Sequence, residues 1–491
     1  MSAAAAAQVA GPAGGFGLAV LILARPRAWR LAGLALWAVG MVIFLPELAP
    51  GGYAVRLVGG GVVGVVLAAG LAFLFRRWPW ALAFLTLAAV PARIPVTVGS
   101  VSADLLIPLY AIVAGAAVWV GWSIVLDERP SRELGRLSWP LALLVAWLGL
   151  SIVWTEDVRQ GSIELFFFVL PFGLLALALA GLPWNPRALA GLYGLLAGMA
   201  LLFATVGVWQ WATRDVFWNP KVIVANAYAP FYRVNSLFWD PSVYGRFLVV
   251  AILASLVLLL FRTEVRWELV AAAILCAAWV GLLFSFSQSS FAALVCGVAI
   301  AAAIAWRWRA LVAVGLVAAV MIPLGVAAPQ FERVRDSVFS SSGSALNRAT
   351  SGRFGLLKNG LEIYVDHPVA GAGIGSFREA YATKKHLAKK APPRAASHNT
   401  PITIASEAGT IGLVLFGWLV VMALYVAFRG LRGSRTAAAK TRAVTGLGLA
   451  AIFVHSLFYN AFLEDPMVWS FFALAVLATA AYARAEWEKT A

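Results

Sequence analysis

Apolar stretches of roughly 17–25 residues, each enough to cross a hydrocarbon core of about 30 Å as a helix, recur along this chain of 491 residues. In lipid, only helices and closed barrels satisfy their own backbone polar groups. The short alternating strands of a barrel are absent from the sequence. Spans are expected near 31–47, 54–75, 79–97, 102–126, 138–154, 160–181, 188–211, 243–261, 267–284, 290–306, 309–328, 400–427, 443–460 and 467–483, while the stretch 14–24 is short. The expected fold class is an all-α polytopic membrane protein with about 12–14 transmembrane helices. A charged fraction of 12% and a mean hydropathy of +0.86 agree, since soluble domains carry about 25% charged residues.

The net charge of +16 does not point to a nucleic-acid partner, because its distribution follows topology. One set of loops holds Arg25, Arg27 and Arg30, then Arg76 and Arg77, then Arg129, Arg132 and Arg136. The same set continues through Arg187, Arg262, Arg266, Arg307, Arg309, Arg429, Arg432, Arg435, Lys440 and Arg442 to the C-terminal Arg484 and Lys489. The opposite short loops carry Glu47, Glu156, Asp157, Asp215, Asp240, Glu464 and Asp465. The basic set is therefore expected on the cytoplasmic side, in contact with anionic lipid. The segments 212–242 and 329–397 then face outward. Cys276 and Cys296 lie inside apolar runs, so neither a disulfide framework nor a thiolate metal site is expected. The Ala-rich first residues lack a basic n-region, and an uncleaved first helix is expected to act as the targeting signal.

The chain thus divides into 1–328 (membrane helices with the outer loop 212–242), an extracytoplasmic loop 329–399, and 400–491 (membrane helices and a cytoplasmic tail). Residues 329–397 carry eleven Lys/Arg against five Asp/Glu, a formal charge of +6. An outward loop this basic opposes the usual charge bias, and an anionic substrate accounts for it. Helical spacing of charges between Arg333 and Leu361 predicts one or two short surface helices. Ser340–Ser344 reads as a turn. The basic run Lys384 to Arg394 reads as a solvated segment beside headgroups.

Candidate chemistry gathers at this outer face. His398 opens the apolar run at 400, where a neutral imidazole is suited to accept a proton. Asn399, Thr403 and Glu407 recur at i, i+4 and i+8, a polar stripe that belongs against protein or water. Glu407 is expected to bond a neighbouring helix or an arginine. Glu164, in an apolar run, is a functional candidate or a side chain reaching the outer surface. His367 reads as turn structure, and His455 as a structural residue near Asn460 or Glu464. No strand precedes Gly371, Gly373 and Gly375, so tight packing is a better reading than a phosphate cradle. The sequence shows no metal-ligand spacing and no cofactor motif.

The order Ser351-Gly352-Arg353, Asp366-His367-Pro368 with Gly371, Gly373 and Gly375, Ser397-His398-Asn399, then Ser406-Glu407-Ala408-Gly409-Thr410-Ile411-Gly412-Leu413 resembles the O-antigen ligase and O-antigen polymerase family. Arg233-Val234-Asn235-Ser236 with Asp240-Pro241-Ser242-Val243-Tyr244-Gly245 is similar to that family's periplasmic segment, and the likeness covers residues 230–465. The resemblance implies a GT-C-like inverting glycosyltransferase of the bacterial inner membrane. Its implied partners are a polyprenyl-diphosphate-linked glycan donor and an acceptor glycan, either lipid A core or a growing polysaccharide. No metal or other cofactor is implied. Carried onto this chain, the likeness makes His398 the catalytic histidine and Arg353 both a catalytic and a diphosphate-binding residue. The family commonly has an arginine where this chain has Gln288, within Ser285-Phe286-Ser287-Gln288-Ser289-Ser290. Arg233 or Arg246 then replaces it, or Gln288 itself bonds a phosphate oxygen. Asn399 and Glu407 are supporting residues. A transporter or flippase for a lipid-linked or anionic substrate is the alternative, though no internal repeat supports it. A non-catalytic assembly protein is the third class.

Overall fold

The computed structural model describes residues 3–44, 54–98, 101–129, 132–217, 219–228, 231–261, 264–306, 353–386, 397–431 and 436–490. The expected span 309–328 lies outside them, as do residues 329–352 and 387–396 of the loop 329–399. The described chain is an all-α polytopic membrane protein: ten of its helices are long and apolar enough to cross a membrane. The first seven helices are α1 (Ala3–Leu23), α2 (Arg27–Phe44), α3 (Ala54–Arg77), α4 (Ala81–Ala89), α5 (Ile107–Val125), α6 (Ser138–Ser151) and α7 (Val158–Ala180). There follow α8 (Pro186–Thr213), α9 (Pro220–Tyr228), α10 (Pro241–Leu260), α11 (Val265–Ser285) and α12 (Gln288–Trp306). The remainder are α13 (Arg353–Asp366), α14 (Phe377–Lys384), α15 (Thr400–Phe428), α16 (Ala437–Ser456) and α17 (Pro466–Thr490).

Helix starts follow from local chemistry. Asn185, Asp240 and Asn399 each accept a backbone N–H with their side chains, and a proline sits in the first turn that follows. Such residues satisfy the orphan amides, and proline loses nothing in the first turn.

Three segments differ from the sequence reading. The weak stretch 14–24 belongs to the full helix α1, because the Ala-rich residues before it are strong helix formers. The expected span 79–97 is replaced by the nine-residue α4 and a hairpin of β1 (Ile94–Val98) with β2 (Val101–Leu105), paired antiparallel from Ile94–Leu105 to Val98–Val101. Proline at 91 and 95 and the β-branched residues around them oppose helix, while apolarity alone cannot tell the two forms apart. The expected span 102–126 consequently begins at Ile107. A five-residue π-helical turn, Leu165–Val169, interrupts α7 directly after Glu164.

The basic loops meet at one end of the bundle. Arg30 donates to Arg129 O and Glu133, Arg76 binds Glu128 with both Nη atoms, and Arg129 donates to Ala178 O. Arg136 lies over Tyr425, and Arg442 donates to Val426 O. The opposite end is joined by Gln8 to Val153 O and by the contacts of residues 155, 374–376 and 397–400. With Cys276 and Cys296 replaced by Ala, an impermeant thiol reagent is expected to label Val365→Cys in intact cells and spare Arg187→Cys. The reverse pattern would invert the expected orientation.

Candidate functional site

His398 sits where the chain turns into α15. Its backbone is left-handed, at φ +53°, a conformation that few residues other than glycine adopt without strain. The residues around it are tightly held. Ser397 Oγ accepts the Asn399 amide at 3.0 Å and pairs with Thr403 Oγ1. Asn399 Oδ1 accepts the Ile402 amide at 3.0 Å, and its Nδ2 donates to Leu457 O at 3.1 Å. Thr400 Oγ1 donates to Asn460 Oδ1 at 3.0 Å. The start of α15 is thereby stitched to the loop that joins α16 to α17, and the imidazole is half-buried beside it.

α15 is broken at Gly409, whose φ of 68° and ψ of −166° are not helical. A break within a span orphans backbone groups that lipid cannot satisfy. The segment 368–373 supplies partners: the amides of Thr410 and Ile411 donate to Pro368 O and Val369 O, while those of Ala372 and Gly373 donate to Ser406 O and Glu407 O. Trp147 Nε1 donates to Ala408 O at 2.9 Å. On its other side the segment rests on the α6–α7 junction, where Thr155 Oγ1 donates to Ile374 O at 2.6 Å and Ser376 Oγ accepts the Glu156 amide at 2.8 Å. A Cβ at Gly373 would lie 2.4 Å from Thr155 Cα, and one at Gly409 2.2 Å from Val369 O. The glycine series is a close-packing device, in line with the reading that set the phosphate cradle aside.

Three carboxylates converge near the start of α15. A cavity between α7, α15 and the α16–α17 loop is lined by Glu164, Glu407 and Glu464, with Thr400, Thr403 and Asn460. Glu407 is buried, and its Oε1 accepts the Phe377 amide at 3.1 Å. Its neighbours are the amides of Gly375 and Phe377 and the carboxyl of Glu164. It is thus bonded to neighbouring elements, as one branch of the sequence reading held. Glu164 faces this cavity and accepts from Gln160 Nε2 at 3.1 Å. Burial pushes the Glu464 carboxyl above the usual carboxylate range, against an opposing pull from Arg93 and Arg246. Among the described residues, no group of three or more His, Cys, Asp or Glu side chains is placed to hold a metal ion.

The arginines occupy separate places. Arg246 is buried and paired with Asp465 at 2.8 Å, and its Nη1 has no protein partner. It lines a second, smaller cavity with Arg93, Phe238 and Phe247. Arg233 Nε donates to Ser285 O at 3.2 Å, and Val234 N donates to Phe284 O. Arg233 therefore lies at the α11–α12 turn, bonded to Ser285, three residues before the exposed Gln288. Arg353 opens α13, which reaches α15 through Tyr364 Oη and Thr410 Oγ1, 2.8 Å apart; its side chain lies outside the described residues. His455 is fully buried, with its ring 5.6 Å from that of Tyr459.

Sequence reasoning missed Arg93 and named Glu464 only as a loop charge and a neighbour of His455. The signal for Arg93 was its position inside an apolar run, where an ionisable residue marks function by default. Nothing local marks Glu464, which the fold brings between the two cavities.

Comparison with known proteins gives one family. Residues 271–417 match the family model described as O-antigen ligase, a stretch that runs from α11 through the glycine loop and His398 to beyond the break in α15. No curated protein matches the chain.

Proposed function

We propose that this membrane protein of the O-antigen ligase family transfers a glycan from a polyprenyl diphosphate to a hydroxyl of an acceptor glycan, at the outer face of the bacterial inner membrane. The observation that carries this reading is the convergence at one end of the bundle of the histidine turn, the helix opened by Arg353 and the glycine loop, all within the family-matched segment. The acceptor oxygen attacks the sugar C1 from the face opposite the diphosphate, which inverts the anomeric centre. His398 takes the hydroxyl proton as the new C1–O bond forms and the C1–O bond to phosphate breaks. The diphosphate departs with several anionic oxygens. Arg353 and Arg233 stabilise it, Gln288 adds a hydrogen bond, and Arg246 contributes field from its pair with Asp465. No metal is needed, because guanidinium groups remain charged throughout. Asn399 caps the helix that carries His398, and Glu407 anchors the glycine loop. The acceptor is lipid A core in a ligase and a growing polysaccharide in a polymerase. Cells lacking the protein distinguish the two: core without long glycan means ligase, and short lipid-linked repeats mean polymerase.

The test is transfer by the purified protein in detergent, with a polyprenyl-diphosphate glycan and an acceptor glycan. Arg353→Lys keeps the charge but loses the bidentate fork, and turnover is expected to fall about 10²-fold with normal membrane insertion. Wild-type turnover in both Arg353→Lys and Arg353→Ala would remove Arg353 from the site. Activity abolished by a chelator and restored by Mg²⁺ overturns the metal-free mechanism.

A further inference from the structure

Burying three carboxylates in one membrane-protein cavity is costly unless the arrangement serves a purpose. Glu407 is bonded to a loop amide and Glu164 to Gln160. Asp465, next to Glu464, bonds Arg246 and the Met467 amide. Glu464 differs from all of them. It is half-buried in the loop between α16 and α17, and it lies between the carboxylate cavity and the arginine cavity. The carboxylate cavity is about 40 Å³, room for water-sized groups and not for a sugar ring. Thr400 and Asn460, bonded to each other, form part of its wall. The loop that carries Glu464 is thus tied directly to the residues following His398.

We propose that Glu464 is a second acid–base group of this site, receiving, by way of the cavity that Thr400 borders two residues after the histidine, the proton that the acceptor hydroxyl gives to His398. This inference rests on the transfer reading above. The acceptor O–H bond breaks, and its oxygen forms the new bond to the sugar C1. The electron pair of the old C1–O bond leaves on the diphosphate. The proton passes from His398 to the Glu464 carboxylate and from there to outer water. The charged and titratable groups facing Glu464 are Arg93 and Arg246, Asp465, Tyr110 and Tyr459, and the carboxyls of Glu164 and Glu407. The arginines favour its ionised form. Burial and the acidic neighbours favour its protonated form, so that the group can both take and release a proton. Acting through His398, Glu464 is a positioning and relay residue.

The experiment is the pH dependence of kcat and KM for the purified wild type, Glu464→Gln and Glu464→Asp, with donor and acceptor glycans. Glu464→Gln is expected to lower kcat about 10²-fold, to leave donor KM unchanged, and to erase one ionisation from the kcat profile. Glu464→Asp restores a carboxylate and is expected to recover that ionisation at a displaced midpoint. A Gln variant with wild-type kcat and profile overturns the proposal, as does a loss confined to donor KM. If the Gln variant does not fold, the Asp variant decides, and a wild-type midpoint in it overturns the proposal. An inactive wild type brings down the transfer reading and this one with it, whereas an active wild type with a normal Gln variant strikes only at Glu464.

Discussion

Alanine at position 398 is expected to stop glycan transfer while the polyprenyl-diphosphate donor still binds. On the proposed function, donor affinity comes from the arginines and from burial of the lipid, and neither needs an imidazole. Removing a general acid–base group costs about 10²–10⁴ in rate, so the loss is plain in a purified assay. The backbone at this position is left-handed, and alanine tolerates that poorly. Two further variants separate chemistry from shape. Asparagine visits the left-handed region more readily and should be equally inactive. His398→Gln keeps hydrogen bonding of similar reach without taking the proton, and is also expected to fail. Near-normal turnover in Gln would reduce His398 to holding the hydroxyl. Full turnover in Ala would return the transporter reading to the front.

A methyl group at position 409 should do comparable damage by another route. The added Cβ would stand 2.2 Å from Val369 O, on a backbone at φ +68°. Strain and overpacking together cost about 3 kcal/mol or more. The outcome expected for Gly409→Ala is a loop released from α15, a lower melting temperature in detergent and lost transfer. Gly373→Ala, with its Cβ 2.4 Å from Thr155 Cα, should fail in the same way. Unchanged melting in both variants would mean that the loop is not docked on the break.

These two sites show what the sequence could and could not disclose. The start of a helix near residue 400 was legible because polar residues and a proline precede an apolar run, and that chemistry is local. The stripe Asn399, Thr403, Glu407 was legible from its period, and Thr403 and Glu407 do line the cavity. The break at Gly409 was not, since its hydrogen-bond partners lie about forty residues upstream and hydropathy records no direction of the backbone. The span at 79–97 failed for a related reason: an apolar run with prolines at 91 and 95 reads equally as membrane helix or strand. Arg246 was read as a candidate diphosphate ligand, but its pairing with Asp465 depended on two distant segments meeting. The carboxylate cavity draws on α7, α15 and the α16–α17 loop, and no single stretch announces it.

The break in α15 also acts as a depth gauge. α15 has 29 residues, and at about 1.5 Å per residue an unbroken helix of that length would measure about 43 Å. Residues 410–428, below the break, account for about 28 Å, close to the roughly 30 Å of a hydrocarbon core. If the basic Arg429 marks the inner boundary, Gly409 falls near the outer one, and the short upper piece stands among the headgroups. A lipid-borne diphosphate rests in that same layer. On the proposed function the histidine then meets the sugar–phosphate bond at its natural height, and the carrier need not be pulled out of the membrane to be cleaved.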